Sequence, residues 1–238
     1  MKSFRKAILI IHGFAGSTYD EELLARFLAL EWNFDVFTYT LPGHERNLFM
    51  GANYESWIDE SRKQVQYLIN NGYKNIYVIG HSMGGVIACL LATQYREIKK
   101  LVLAAPAFKY IYSKEDKITT TIKKGKRLLK DYGYDEVLRR ALKSSIGGAR
   151  EFMKLVRIYH NIPKNVIVPT LLIQGLEDNL VPKESSLYVY NSVRGYKKIV
   201  FVKGVNHDIF HSKKVDLINN EIKKFLKKGI NNNLKITI

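Results

Sequence analysis

The sequence predicts an α/β protein built on a mostly parallel, doubly wound sheet of about six strands. Three observations predict it. Short apolar runs have the length and composition of strands buried on both faces. Helical periods separate them, and a glycine, or in one case a proline, marks the place where each run stops. The runs are Ala7–Ile11, Phe34–Tyr39, Asn75–Ile79, Leu101–Ala105, Leu171–Gln174 and Ile199–Val202. They end at His12-Gly13, Pro42-Gly43, Gly80, Pro106, Gly175 and Gly204 respectively.

The intervening helices follow from apolar residues at intervals of three and four. Leu23, Leu24, Phe27 and Leu28 share one face, opened by Ser17 as an N-cap. Trp57, Ile58, Val65, Leu68 and Ile69 make a second, and Val86, Ile87, Leu90 and Leu91 a third. Leu187, Tyr188 and Val189 continue the alternation, and Val215, Leu217, Ile218, Ile222 and Phe225 form the last helix, stopped at Gly229.

One segment interrupts the pattern. Between Ala107 and Pro169 no convincing strand occurs, and two or three helices are expected instead. Val137, Leu138, Ala141 and Leu142 form one, and Phe152, Leu155, Val156 and Tyr159 another, with Gly147-Gly148 between them. The domain reading is therefore a core made of 1–106 and 170–229, a helical cap or lid at 107–169, and a frayed tail at 230–238.

Composition narrows the function classes. The 238 residues carry a formal net charge of +16, and the cap is basic, with 15 Lys or Arg against 6 Asp or Glu between Lys109 and Lys164. Such charge permits weak contact with an anionic membrane surface. No basic-aromatic motif of a nucleic-acid reader accompanies it, so nucleic acid is not an expected partner. One cysteine, Cys89, precludes an intramolecular disulfide and fits a cytoplasmic setting. The apolar run after the basic start is too short for a signal peptide, and no stretch is long enough to span a bilayer. No His, Cys or carboxylate spacing points to a metal.

The chemistry resides in three loops, each directly after a strand. Gly80-His81-Ser82-Met83-Gly84 has the form G-x-S-x-G. Alone it is weak, since a chain of this length shows it by accident roughly one time in twelve. Here a strand delivers the serine and a helix leaves it, as a sharp nucleophile turn requires. A serine hydroxyl needs a base to take its proton and a third group to orient that base. Asp178, in Gly175-Leu176-Glu177-Asp178, and His207, in Gly204-Val205-Asn206-His207, follow later strands in the chain order expected of this architecture. Glu177 competes with Asp178 for the acid's role, and His211 with His207 for the base's. The G-x-x-D-x-x-V-P pattern favours Asp178, and closeness to the strand favours His207. The backbone N–H groups of Phe14 and Met83 are the natural oxyanion donors. His12 and His81 read as hydrogen-bonding neighbours of the site, His44 and His160 as surface residues. Phe108, Phe152 and Tyr159 are candidates for the substrate pocket or for cap packing.

These segments resemble those of small bacterial carboxylesterases related to monoacylglycerol lipases, within the α/β-hydrolase superfamily. The resemblance rests on His12-Gly13-Phe14, Gly80–Gly85, Gly175–Pro182 and Gly204–His207, and runs from Ala7 to about Lys228. It implies a core with a small helical cap, and cleavage of short- to medium-chain esters or monoacylglycerols through an acyl-enzyme on Ser82. It implies no cofactor. Leu41-Pro42-Gly43-His44 resembles the family's P-G-H-G, with Glu45 in place of the second glycine. The same triad also serves thioesterases and peptidases, and a non-catalytic binding protein on this fold is the rival of a different class.

Overall fold

The computed structural model describes residues 5–44, 52–109 and 146–238. Glu45 and the proposed helix around Val137–Leu142 lie outside the described residues. Among the described residues, seven parallel strands form one sheet: β1 (Lys6–Ile11), β2 (Phe34–Thr38), β3 (Ile76–His81), β4 (Ile98–Ala104), β5 (Thr170–Gly175), β6 (Lys197–Val202) and β7 (Leu234–Thr237). Their spatial order is β2-β1-β3-β4-β5-β6-β7. All six neighbouring pairs run parallel. The six expected runs are all strands.

Among the described residues, six α-helices cover the sheet: α1 (Glu22–Ala29), α2 (Tyr54–Asn70), α3 (Met83–Gln94), α4 (Ile146–Ile158), α5 (Lys183–Ser192) and α6 (Val215–Lys228). α1 packs against α6, while α2, α3 and α4 pack against one another. β1, β3 and β5 are almost wholly buried along their length, so their continuous apolar sequence reflects cover on both faces. α3 is buried without interruption from Met83 to Ala92. Its sequence is apolar all round because sheet and helices enclose it.

The structure corrects three expectations. The tail does not fray: β7 pairs with β6, Lys203 donates to the Ile238 carbonyl, and Ile238 to that of Phe201, each at 2.9 Å. Its exposed edge position explains why Leu234-Lys235-Ile236-Thr237 lacks the apolar continuity of the inner strands. Ser17 opens a 3-10 turn at Thr18–Glu21, where its N–H donates to Asp20 at 3.0 Å, and α1 begins only afterwards. Gly147-Gly148 lies within the first turn of α4 and not ahead of it.

In a parallel sheet every strand presents its carboxyl end to the same edge, and the loops that leave that edge build the site. Here those loops start at His12, Ser82, Ala105, Leu176 and Lys203.

Candidate active site

Ser82 occupies the turn between β3 and α3 with φ 52° and ψ −113°. A side-chain-bearing residue in that region is strained, by about 1–3 kcal/mol. Ala15 (φ 56°) and Ala105 (φ 43°), the other described non-glycine residues with positive φ, follow β1 and β4 at the same sheet edge. Strain is thus concentrated around one point. The turn is held from both sides: the Ser82 N–H donates to the Ala104 carbonyl at 2.9 Å, and the Ser82 carbonyl accepts from Gly85 and Ala107, each at 3.1 Å.

Two glycines are required by close approach. A Cβ on Gly84 would collide with the backbone carbonyl of Ile11, which cannot swing aside. A Cβ on Gly13 would lie 3.2 Å from the Ser82 Cβ, so the loop after β1 presses directly on the serine. Gly84→Ala should therefore destabilise the fold by about 3 kcal/mol, at the upper end of overpacking costs. That corresponds to a Tm lower by roughly 6–12 °C, checked by thermal unfolding; an unchanged Tm would show that the turn can open.

Asp178 and His207 meet. His207 Nδ1 donates to Asp178 Oδ2 at 2.7 Å, and both side chains are almost completely buried. This fixes the tautomer, leaving Nε2 as the basic nitrogen of the ring. The carboxylate is itself fixed: Oδ1 accepts from the N–H groups of Leu180 (2.9 Å) and Val181 (2.8 Å), and Oδ2 also from Gln174 Nε2 (3.2 Å). The His207 ring lies 5.1 Å from that of His81, the residue preceding Ser82. The loops after β3, β5 and β6 thus touch one another through His81, Asp178 and His207.

The competing residues have other partners. Glu177 accepts from the Val205 N–H at 3.0 Å, and its own N–H donates to the Val205 carbonyl at 3.0 Å, so it ties the acid loop to the histidine loop. His211 Nδ1 contacts Asp208 Oδ1 at 2.9 Å, and its ring stacks on Tyr19. The Asp208 carboxylate raises the pKa of His211 above the usual histidine value.

The loop after β1 carries Phe14. His12 Nε2 accepts from the Leu41 N–H at 3.0 Å, so Nδ1 bears the proton and donates to the Gly13 carbonyl at 2.8 Å. A neutral, buried His12 therefore braces this loop, in the structural role expected of it. Met83 opens α3, so its N–H points outward from the helix's first turn.

His44 is a correction. It is buried, not exposed: its ring packs edge-on against His12, Phe14 and Trp57 at 5.1, 5.8 and 5.5 Å. Trp57 Nε1 and His44 Nδ1 both donate to the Pro42 carbonyl, at 3.0 and 3.2 Å. His160 is half-buried, with its ring stacked on Tyr188 at 4.7 Å. Of the aromatic candidates, Phe152 stacks on Phe14 at 5.4 Å, which brings α4 against the loop beside Ser82. Phe108 is buried one residue beyond Ala107, which bonds to Ser82. Tyr159 packs part-buried against the core.

Gln174 was not singled out from sequence. It is fully buried at the end of β5, with Nε2 facing Asp178 Oδ2 and the carbonyls of Gly175 and Val181. Ser186 Oγ donates to its Oε1 at 2.7 Å. The one available signal was a polar residue at the end of an otherwise apolar strand. Among the described residues, no group of three His, Cys, Asp or Glu side chains is arranged to hold a metal ion. No helix of the described residues is long and apolar enough to cross a membrane.

Residues 2–129, more than half of the chain, match the model of the family described as "Serine aminopeptidase, S33". The chain belongs to this family of serine hydrolases. A carboxylesterase of Bacillus subtilis (strain 168) is 26% identical over 234 residues, covering 94% of this chain and 93% of that protein. The fold is that of the α/β-hydrolases. A monoacylglycerol lipase of Paleococcus ferrophilus superposes with a TM-score of 0.74 at 19% identity, over 96% of both chains. A soluble variant of the monoglyceride lipase of Saccharomyces cerevisiae gives 0.70 at 21% identity, over 95% of this chain and 88% of that one. For this member of the S33 family, sequence motif and sheet topology thus agree.

Proposed function

We propose that the protein hydrolyses carboxylic esters through an acyl-enzyme on Ser82. The observation that carries this reading is the buried 2.7 Å bond between His207 Nδ1 and Asp178, in a loop packed beside the strained Ser82 turn. His207 Nε2 takes the Ser82 proton as the hydroxyl attacks the ester carbonyl. Asp178 holds the ring in the productive tautomer and stabilises the imidazolium that forms. The N–H groups of Phe14 and Met83 receive the developing oxyanion, each contributing about 3–4 kcal/mol of transition-state stabilisation. His207 then protonates the departing alcohol, and water, activated by the same ring, releases the acid. No step calls on a cofactor.

The substrate class is proposed as short- to medium-chain esters or monoacylglycerols. The carboxylesterase relative spans nearly the whole chain, and the partly exposed Phe14, backed by Phe152, offers apolar surface in the loop beside Ser82 for an acyl chain. The cytoplasmic setting and weak contact with anionic membranes belong to the same proposal, supported by the cysteine usage and the charge of +16.

The family's description favours a second reading, removal of amino-terminal residues from peptides. A panel of p-nitrophenyl esters of increasing chain length, monoacylglycerols, acyl-CoA thioesters and aminoacyl amides separates the two. The proposal expects the highest kcat/KM on an ester of short or medium chain. A preference for the aminoacyl amides would overturn it in favour of the peptidase.

A further inference from the structure

His81, adjacent to the nucleophile, does more than fill space. Its ring is buried, and each nitrogen faces an acceptor: Nδ1 lies 3.1 Å from Glu21 Oε1, and Nε2 lies 3.2 Å from the main-chain carbonyl of His207. Glu21 is equally buried, where its charge would be costly without a cation beside it. Phe210 closes the ring edge-on at 5.5 Å. A neutral imidazole has one donor and one acceptor nitrogen, so only the doubly protonated ring satisfies both contacts.

We propose that His81 is a positioning residue: clamped between the Glu21 carboxylate and the main-chain carbonyl of His207, it ties the histidine loop to the turn that carries Ser82. The proposal rests on the reading of Ser82, His207 and Asp178 as the catalytic group. The clamp joins residues 60 and 126 positions apart in sequence, from the entry to α1, the end of β3 and the loop after β6. Asp178 fixes the rotation of the His207 ring; His81 fixes the backbone from which that ring projects. A small displacement there would lengthen the path of the proton from Ser82, and misplacement by about 1 Å can cost 10²-fold in rate.

Burial works against the imidazolium, but the hydrogen bond and charge of Glu21, with Asp20 and Asp208 behind them, outweigh it and raise the pKa of His81 above the ordinary histidine value. The groups facing this ring are therefore Glu21 and Asp20 from the entry to α1, and His207 and Asp208 from the histidine loop. The bond to the carboxylate is the stronger of the two. As pH rises through the elevated pKa, the proton lost is thus the one on Nε2, and with it the contact to His207. The clamp is present at lower pH and released on the alkaline side.

The test compares the full-length wild type with His81→Phe, His81→Gln and Glu21→Gln. The readouts are kcat, KM, the rate of fluorophosphonate labelling at Ser82, and pH profiles. His81→Phe should lower kcat and labelling rate at least about tenfold with KM little changed, since the loss is in positioning and not in binding. His81→Gln, whose amide can still donate to the His207 carbonyl, should recover most of that loss and lack the wild-type alkaline limb. Glu21→Gln should move the limb to lower pH. Equal losses in His81→Phe and His81→Gln, or an alkaline limb that survives in His81→Gln, would overturn the proposal. Should His81→Phe fail to fold, the profiles of the other two variants decide. Wild-type protein that resists labelling would instead refute the catalytic reading, whereas labelling as fast in His81→Phe as in wild type would refute only the clamp.

Discussion

Ser82→Ala is expected to lower kcat on ester substrates by on the order of 10⁶-fold, the loss seen when a triad nucleophile is removed. No neighbouring group can replace it, because the position is defined by its backbone. At φ 52° between β3 and α3, Ser82 alone projects from the turn that the loop after β1 presses against. Alanine has the same Cβ and tolerates the same conformation no worse than serine, so the variant should fold with unchanged Tm. A steady-state assay with the preferred ester, run beside thermal unfolding, checks both halves. Retention of about a tenth of wild-type turnover in a folded variant would contradict the assignment, because the triad acts as a unit.

Asp178→Asn should lower kcat by about 10⁴-fold while leaving the fold intact, the effect expected when a triad histidine is held in the wrong tautomer. The reason is specific to this loop. Oδ1 accepts two backbone N–H groups, from Leu180 and Val181. In the asparagine variant the amide oxygen must take that side, or two donors would face a third. The NH₂ group then points at His207 Nδ1, which can accept it only by moving its own proton to Nε2. That nitrogen is the one that must receive the Ser82 proton. Asp178→Ala should be less damaging than a simple ranking of charge loss suggests, since it imposes no tautomer. Kinetics of both variants on one ester checks the order, and an asparagine variant within tenfold of wild type would contradict the tautomer argument.

The residues proposed to carry the chemistry were legible in the sequence because each lies in a loop that follows a buried strand. An apolar run ended by glycine announces the sheet edge, and a serine, acid or histidine just beyond it stands out. The inner strands were legible for the same reason: cover on both faces leaves no polar alternation to confuse the pattern. β7 was not, because an edge strand of four residues after Asn231-Asn232-Asn233 has neither length nor apolar continuity. His44 was misread as a surface residue, because its cover comes from His12, Phe14 and Trp57 in three different segments. Glu21 and Gln174 illustrate the same limit. Their importance lies in partners fixed by tertiary structure, and nothing local to either residue records that a buried histidine or carboxylate will lie against it. Gly84, by contrast, belongs to the G-x-S-x-G motif itself, and the strand-turn-helix geometry of that motif brings the Ile11 backbone against it.

The central claim is that Ser82 alone carries the acyl group, while His207, oriented by Asp178, moves the proton. The most direct test is to quench the reaction with a slowly turned-over ester during its pre-steady-state burst and to digest and map the protein by mass spectrometry. The account predicts a single acyl adduct, on the peptide containing Ser82, which disappears in Ser82→Ala and forms far more slowly in His207→Ala. Turnover that proceeds without any adduct, or an adduct on another residue, would contradict it.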